Sequence, residues 1–210
     1  MTAREREPTV YVVDDDEAVR ASLRLLLKSL GIPAISHGSG AEFLAQYEPE
    51  HPGCIILDVR MPGMSGLELQ EELNRRGAII PIIFITGHGD VPMAVEAMHH
   101  GAIDFLQKPF SDKDLTDRIH EALSIDLRNR ALLGEKDMIR ARLAALTPRE
   151  IQVLRLVTLG KSNKAIAGDL DLSQRTVELH RAHLMEKMGA SSLAHLVRMT
   201  MIEDMGISAY

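Results

Sequence analysis

Residues 9–17 read TVYVVDDDE, a run rich in β-branched side chains that ends in four consecutive acidic residues. Residues 54–58 (CIILD) and 82–86 (IIFIT) show the same pattern, since each apolar run also ends in a polar side chain. Short continuous apolar runs are typical of strands buried on both faces of a parallel sheet. The pattern therefore predicts strands that each deliver a polar residue to one edge of such a sheet.

Segments of helical periodicity separate these runs. The predicted strands are Thr9–Val13, Ile32–Ser36, Cys54–Leu57, Ile82–Thr86 and Ile103–Gln107. The predicted helices are Val19–Leu30, Ser39–Tyr47, Gly66–Arg76, Val91–His100 and Asp112–Leu123. Five strands alternating with five helices predict an α/β fold, a doubly wound five-stranded parallel sheet with helices on both faces.

The rest of the chain has a different, purely helical pattern. Residues 124–146 keep a helical spacing of apolar residues, and Gly134 is the one point where that helix is weak. From Thr147, four predicted helices follow: Pro148–Leu159, Ser162–Leu170, Gln174–Met188 and Ser191–Met205. The second and third are close enough to form a helix-turn-helix pair. We predict a first domain at 1–123, a helical linker at 124–146 and an all-α four-helix domain at 147–210.

The amino-acid composition argues against a membrane-spanning protein, a disulfide-bonded protein and a cysteine-based zinc site. The sequence has 45% hydrophobic and 26% charged residues, and its longest apolar stretch is too short to span a membrane. The single cysteine, Cys54, allows neither an internal disulfide nor a cysteine cage for zinc. With no secretory pattern near the start, we expect a cytoplasmic protein without a membrane partner. Residues 1–123 carry 11 Lys/Arg against 20 Asp/Glu, whereas residues 147–210 are nearly balanced, which indicates two units with different ligands.

The polar residues at the strand ends form a chemically coherent set. In an open α/β sheet, ligands bind outside the carboxyl ends of the strands, so Asp14, Asp15 and Asp58 are expected to converge with Thr86 and Lys108. Clustered carboxylates repel unless a cation lies among them, and hard oxygen ligands favour Mg²⁺, or the similar Mn²⁺. A carboxylate beside such a metal can act as a nucleophile toward a phosphoryl group, whose oxygens a lysine and a hydroxyl can bind.

The motifs VVDDDE, ILDVRMPGMSG, FITGHGD and FLQKPF over residues 8–125 resemble the flavodoxin-like receiver domain of two-component response regulators. The resemblance implies that Asp58 accepts the phosphoryl group and that Asp14, Asp15, Asp58 and the backbone carbonyl of Val59 bind the metal. It implies phosphoryl contacts from Thr86 and Lys108, and a switch role for Phe105. Asp16 lies outside this set.

The second half carries residues suited to DNA. On the predicted helix Gln174–Met188, Leu179 and Ala182 offer apolar surface to thymine methyl groups, and Glu178 can accept a hydrogen bond from cytosine. Cationic and polar residues are available for the DNA backbone or for guanine. They are Arg175, Arg181 and Lys187 on this helix, and Lys161, Asn163 and Lys164 at the start of the preceding one.

The run LTPREIQVL…GKSNKAIAGDLDLSQRTVELHRAHLMEKMGASS over residues 142–205 resembles the LuxR-type DNA-binding domain, and the whole chain resembles a FixJ-type response regulator. The resemblance places Glu178, Leu179 and Ala182 toward bases, and Thr176, His180 and Lys187 near phosphates. It implies a transcription regulator, not an enzyme, beyond slow loss of its own phosphoryl group. The implied partners are a sensor histidine kinase, promoter DNA, RNA polymerase and, after phosphorylation, a second copy of the chain.

Two other functions fit parts of the sequence. The helical half can bind a protein rather than DNA, or the acidic site can hydrolyse an external phosphoester as a phosphatase does. The P-loop pattern GxxxxGK[ST] is absent from the sequence, which argues against nucleotide hydrolysis.

Overall fold

The computed structural model describes residues 6–87 and 91–204. The chain divides into two compact units, Met1–Arg130 and Ala131–Tyr210. No helix within the described ranges is long and apolar enough to cross a membrane.

The first unit is a five-stranded parallel sheet in the order β2-β1-β3-β4-β5. The strands are β1 (Thr9–Val13), β2 (Ala34–His37), β3 (Gly53–Asp58), β4 (Ile82–Thr86) and β5 (Asp104–Gln107). The helices that alternate with them are α1 (Glu17–Ser29), α2 (Gly40–Gln46), α3 (Gly66–Arg75), α4 (Val91–His99) and α5 (Asp112–Ala144). The predicted α/β doubly wound parallel sheet is confirmed.

Alternation along the strands divides the core into two layers. Tyr11 and Leu57 belong to the layer that includes α2 and α3, whereas Val12 and Ile56 belong to the layer that includes α1 and α5. Successive residues of a strand point to opposite faces, and strands buried on both faces therefore consist almost entirely of apolar residues. The central strands β1, β3 and β4 are buried along their whole length.

The second unit is helical, with α6 (Pro148–Thr158), α7 (Asn163–Leu170), α8 (Gln174–Met188) and α9 (Leu193–Asp204) following the end of α5. Thr147 caps α6 in a capping box with Glu150, and Ser162 and Ser173 cap α7 and α8. Between α7 and α8, Asp171 has φ 53°, a left-handed conformation that aspartate tolerates better than most residues. The predicted four-helix domain with a helix-turn-helix pair is confirmed.

The sequence predicts a helix over Asp112–Leu123 followed by a helical linker over residues 124–146, and in the structure α5 runs through most of both segments. It is continuous from Asp112 to Ala144, and the boundary between the two units falls after Arg130, within the segment predicted as a linker. The contacts of α5 explain this boundary. Asp126 and Arg130 bond to the first unit, as described below, while Ile139 and Leu146 are buried in the second core.

Candidate functional site

Four polar residues meet at the carboxyl edge of the sheet. Asp14 directly follows β1, Asp58 ends β3, Thr86 ends β4 and Lys108 follows β5. These strands are neighbours in the sheet, so their ends lie side by side. Distances join three of the residues directly. The Lys108 Nζ donates hydrogen bonds to Asp14 Oδ2 at 2.9 Å and to Asp58 Oδ1 at 3.0 Å.

Both of these carboxylates lie in the interior of the unit. Asp14 is 1% exposed and Asp58 is 7% exposed. Burial raises the pKa of the Asp58 carboxyl, although hydrogen bonds from Lys108 and from the Arg60 N–H oppose the rise. Burial by itself would lower the pKa of Lys108, but its hydrogen bonds to Asp14 and Asp58 raise it above the ordinary value. One ammonium thus faces two carboxylates, and the pocket has an excess of negative charge.

The remaining oxygens of the pocket are held by backbone amides. Asp14 Oδ1 accepts from the N–H of Asp16 at 2.8 Å, and Asp58 Oδ2 accepts from the N–H of Arg60 at 2.7 Å. Asp15, which follows the buried Asp14, is exposed. Two buried carboxylates and a third on the same loop are the hard oxygen ligands that a divalent cation such as Mg²⁺ prefers. The residues present therefore fit such an ion.

Asp16 has a structural role. Its side chain accepts a hydrogen bond from the N–H of Ala18 and thereby caps α1. Of the three aspartates in the acidic run, Asp14 is buried in the pocket, Asp15 is exposed and Asp16 caps α1.

The predicted ligand Val59 is partly engaged elsewhere. Its carbonyl oxygen accepts a hydrogen bond from the N–H of Gly66 at 2.9 Å, at the start of α3. A carbonyl has two lone pairs, so one remains for a metal. From the sequence, no role was predicted for Arg60, whose backbone N–H donates a hydrogen bond to Asp58 Oδ2. The available signal was its place two residues after an aspartate, which is the spacing of an Asx turn.

Thr86, a predicted phosphoryl contact, and Phe105, the predicted switch residue, lie on adjacent strands. Thr86 is buried, and its carbonyl accepts from the N–H of Lys108 at 2.7 Å. Phe105 is half-buried, and its ring centroid lies 6.3 Å from that of Phe84. Residues 88–90 of the FITGHGD motif lie outside the described residues.

Helix α8 presents a continuous exposed face. The residues on it recur at intervals of three and four and are all exposed: Arg175, Glu178, Leu179, Ala182, His183 and Glu186. The opposite side buries Val177, Leu184 and Met188 in the second core. Leu179 is 55% exposed although it is a large apolar residue. An apolar side chain among charges on an outward helix face suits insertion into the major groove.

Several predicted DNA contacts already have partners within the unit. Arg181 donates to Asn163 Oδ1 at 2.8 Å, which ties α8 to α7, and Lys161 pairs with Asp169 at 2.6 Å. The hydroxyl of Thr176 lies 2.8 Å from that of Ser173 at the cap of α8, and His180 is half-buried. Lys164 and Arg175 are exposed.

Lys187, which the resemblance places near DNA phosphates, has a partner within the unit. Its Nζ lies 2.7 Å from Oε2 of Glu150, a buried carboxylate of the α6 capping box. Hydrogen bonds from Lys187 and from the Thr147 N–H lower the pKa of Glu150 to about 2. A buried carboxylate needs a charged partner, so Lys187 stabilises the packing of α8 on α6.

The Glu150→Gln variant should destabilise the second unit by about 2 kcal/mol at pH 7, allowing for partial exposure of Lys187. Glutamine keeps the cap but loses the charge. Because the folded-state pKa of Glu150 is depressed, its contribution is fully present above about pH 4.5 and is lost as the pH falls toward 2. Hydrogen exchange of buried amides in α6 and α8 measures the effect. Glu186→Gln, an exposed change on α8, should have no effect, and an equal loss in both variants would contradict the assignment.

Comparison with known proteins covers both units. Residues 10–120 match the family model of the response regulator receiver domain. Residues 144–200 match that of the bacterial regulatory proteins of the luxR family. The chain is 48% identical over 200 residues to the transcriptional regulatory protein FixJ of Rhizobium meliloti (strain 1021), covering 95% of this chain and 98% of that protein.

Other relatives give the same result. Nodulation protein W of Bradyrhizobium diazoefficiens is 46% identical over 95% of this chain and 87% of its own length. Among solved structures, the response regulator StyR is 46% identical with a TM-score of 0.84, covering 93% of this chain and 98% of that one. Full-length FixJ from B. japonicum is 44% identical with a TM-score of 0.58, covering 95% and 98%.

Proposed function

The chain belongs to the two-component response regulators that join a receiver domain to a LuxR-type DNA-binding domain, and we propose that phosphorylation of Asp58 switches its binding to promoter DNA. Members of this family are transcription factors rather than enzymes, and they act with sensor kinases. The observation that carries the proposal is the pair of buried carboxylates, Asp14 and Asp58, bridged by the single ammonium of Lys108.

Receiver domains generally bind Mg²⁺ for phosphorylation. We propose that Asp14, Asp15 and Asp58 hold Mg²⁺, or Mn²⁺, in this chain. The loop after β3 adds a backbone carbonyl, either the second lone pair of Val59 or the carbonyl of Arg60, whose N–H already reaches Asp58. When bound, the ion neutralises negative charge on the phosphoryl oxygens.

The phosphoryl donor is a phosphohistidine of the sensor histidine kinase. A carboxylate oxygen of Asp58 attacks phosphorus, the P–N bond breaks, and its electron pair stays on the histidine ring, which takes up a proton. The product is an acyl phosphate on Asp58. Lys108, already in contact with Asp58 Oδ1, and the hydroxyl of Thr86 bind phosphoryl oxygens as negative charge arrives.

The proposed conformational switch results from the negative charge that phosphorylation adds at Asp58. A phosphoryl group adds about −1.5 to −2 charges, which draws the Thr86 hydroxyl toward it and leaves space for Phe105 to turn inward. Both residues lie on the strands next to α4, so the surface of α4 and β5 changes with them. We propose that this surface mediates a symmetric homodimer after phosphorylation, and that the unphosphorylated first unit restrains the second.

The second unit then recognises DNA through α8. Glu178, Leu179 and Ala182 on the exposed face read bases, and Arg175 and Lys164 contact phosphates. The other predicted DNA contacts are Lys161, Asn163, Thr176, His180, Arg181 and Lys187. All of them except His180 have the partners within the unit described above, and any phosphate contact is made in addition to those bonds. A dimer engages two half-sites, which multiplies a modest affinity. The regulator acts in the cytoplasm and contacts RNA polymerase at the promoter.

A gel-shift experiment on genomic fragments tests this function. With acetyl phosphate and Mg²⁺, the chain should shift a subset of fragments at concentrations at least tenfold lower than without the donor. Binding should weaken steeply between about 50 and 200 mM salt, because phosphate contacts release counterions. A second unit that binds only protein would give no shift at any salt concentration, and a phosphatase would turn over a small phosphoester many times. Either result would refute the proposal.

A further inference from the structure

Helix α5 exposes apolar side chains that neither core uses. Leu127 is 70% exposed and Met138 is 47% exposed. Ala131, Gly134 and Ala141 are exposed as well. Together these five residues, Leu127, Ala131, Gly134, Met138 and Ala141, form what we call the linker stripe.

The linker stripe has the spacing of a helix-pairing seam. Its members recur at intervals of four, three, four and three residues, which is the a/d pattern of a heptad repeat. The buried residues of α5 lie on other sides of the helix. Leu115 and Ile119 belong to the core of the first unit, and Ile139 belongs to that of the second. The stripe is therefore separate from the buried sides of α5, although two further exposed residues, Leu132 and Leu133, lie outside its spacing.

Gly134 lies at the middle of the stripe. Glycine is among the least favourable residues inside a helix. A Cβ at this position would meet no atom of the described chain within 4 Å, so packing within the chain does not require the glycine. At a seam between two helices, small residues such as Gly134 and its neighbours Ala131 and Ala141 let the backbones approach closely.

Charges beside the stripe favour pairing with an identical helix in parallel. In a parallel pair, a residue at g faces the e residue five positions later on the partner. With Met138 at a, Asp137 is at g and Arg142 is at e, so each Asp137 faces an Arg142 of the other copy. Asp137 is well exposed, with a guanidinium nitrogen of Arg140 on its own helix 3.6 Å from its carboxylate. Arg142 uses one guanidinium nitrogen to bond the Met188 carbonyl, which leaves other N–H donors on the same group.

The next charged pair along the seam has the same signs but is partly occupied. Arg130 at g would face Glu135 at e, and the two charges are again complementary. Arg130 is already bonded to Asp126 and to the carbonyls of Pro49 and His51. The electrostatic preference for the parallel pair therefore comes mainly from Asp137 and Arg142.

We propose that the linker stripe pairs with the linker stripe of a second copy of this chain, as two parallel helices in register. The pairing rests on the proposed function, because it forms in the dimer that phosphorylation promotes. It extends dimer contacts along α5 toward the DNA-binding unit and fixes the two copies in parallel, as a two-fold symmetric DNA site requires.

Cysteine cross-linking of the full-length protein tests the pairing. In parallel helices in register, residue 138 of one copy lies beside residue 138 of the other, whereas residue 136, at an f position, points away. With acetyl phosphate and Mg²⁺, Met138→Cys should form an intermolecular disulfide at least tenfold faster than Lys136→Cys. Native Cys54 is buried and burial raises its pKa to about 12, so it contributes little background.

A second measurement separates failure of this pairing from failure of the proposed function. Sedimentation of the unmodified chain with and without donor reports dimerisation. The Asp137→Arg variant should raise the dimer dissociation constant about tenfold, because the introduced guanidinium would face Arg142 of the other copy. Glu71→Arg, an exposed reversal on α3, should leave that constant unchanged. A donor-dependent dimer with equal cross-linking at 138 and 136 would overturn the pairing alone. No donor-dependent dimer would overturn both proposals.

Discussion

Replacing Asp58 by asparagine is expected to reduce phosphoryl uptake from acetyl phosphate at least 100-fold and to remove the effect of the donor on DNA binding. Asparagine keeps the shape of the side chain but lacks the nucleophilic oxygen anion. The fold should not suffer. Because burial raises the pKa of Asp58, its ionised form destabilises the folded state at neutral pH, and Lys108 keeps Asp14 as its partner. Phosphoryl uptake is measured from radiolabel or from the mass of the intact protein.

Asp16→Asn is the matched control for this variant. It makes the same chemical change two residues from Asp14, at a position that caps α1, and asparagine caps helices as well as aspartate does. Uptake by Asp16→Asn should remain within about twofold of the unmodified chain. Normal labelling of Asp58→Asn, with the label mapped to another residue, would show that the phosphoacceptor is misassigned.

The double variant Lys164→Ala/Arg175→Ala is expected to weaken DNA binding about 100-fold at physiological salt, with similar losses on specific and unrelated sequences. Both residues are exposed, on α7 and on the outer face of α8, and we assign both to phosphates. Removing two phosphate contacts should lower the slope of log affinity against log salt by about 2. Fluorescence anisotropy at four salt concentrations measures both quantities.

Arg155→Ala provides the control, since Arg155 is an exposed arginine on α6 and is not among the predicted DNA contacts. Its removal should change affinity less than threefold and leave the salt slope unchanged. If the double variant loses affinity for one sequence only, with an unchanged slope, then these cations read bases and the assignment to phosphates is wrong.

The sequence predicts the acidic pocket well because one structural rule determines it. Parallel strands deliver their C-terminal residues to one edge, so Asp14, Asp58, Thr86 and Lys108 can be placed together from the strand assignments alone. The contact of Lys108 with both carboxylates follows from charge once their proximity is known. This rule does not predict the backbone conformation of the loops that connect the strands to the helices. That is why the hydrogen bonds of Val59 to Gly66 and of Arg60 to Asp58 were not foreseen.

The individual roles on α8 were harder to predict. Helical periodicity separates the buried Val177 and Leu184 from the exposed Leu179, and the structure has the same faces. Periodicity does not indicate which cation on the outer side already has a partner. Lys187 pairs with a carboxylate 37 residues earlier in the sequence, and that pairing depends on the packing of α8 against α6.

The unit boundary could not be read from the sequence for a related reason. Helix α5 is continuous from Asp112 to Ala144, so no helix end marks where it leaves the first unit. The contact that holds α5 to the first unit involves residues far apart in the sequence. The buried carboxylate of Asp126 accepts from the N–H of Gly53 at 2.9 Å and from Arg130 at 2.7 Å, which holds α5 to the first unit as far as residue 130.

The proposed function depends most on the pocket formed by Asp14, Asp15, Asp58, Thr86 and Lys108. A crystal structure of the protein with Mg²⁺ and beryllium fluoride, a tetrahedral phosphoryl mimic, tests that pocket directly. We expect the mimic on an oxygen of Asp58, with Lys108 and Thr86 on its fluorines and the ion bound by Asp14 and Asp58. A mimic bound elsewhere, or a Lys108 side chain directed away from an Asp58 that holds no mimic, would contradict the account.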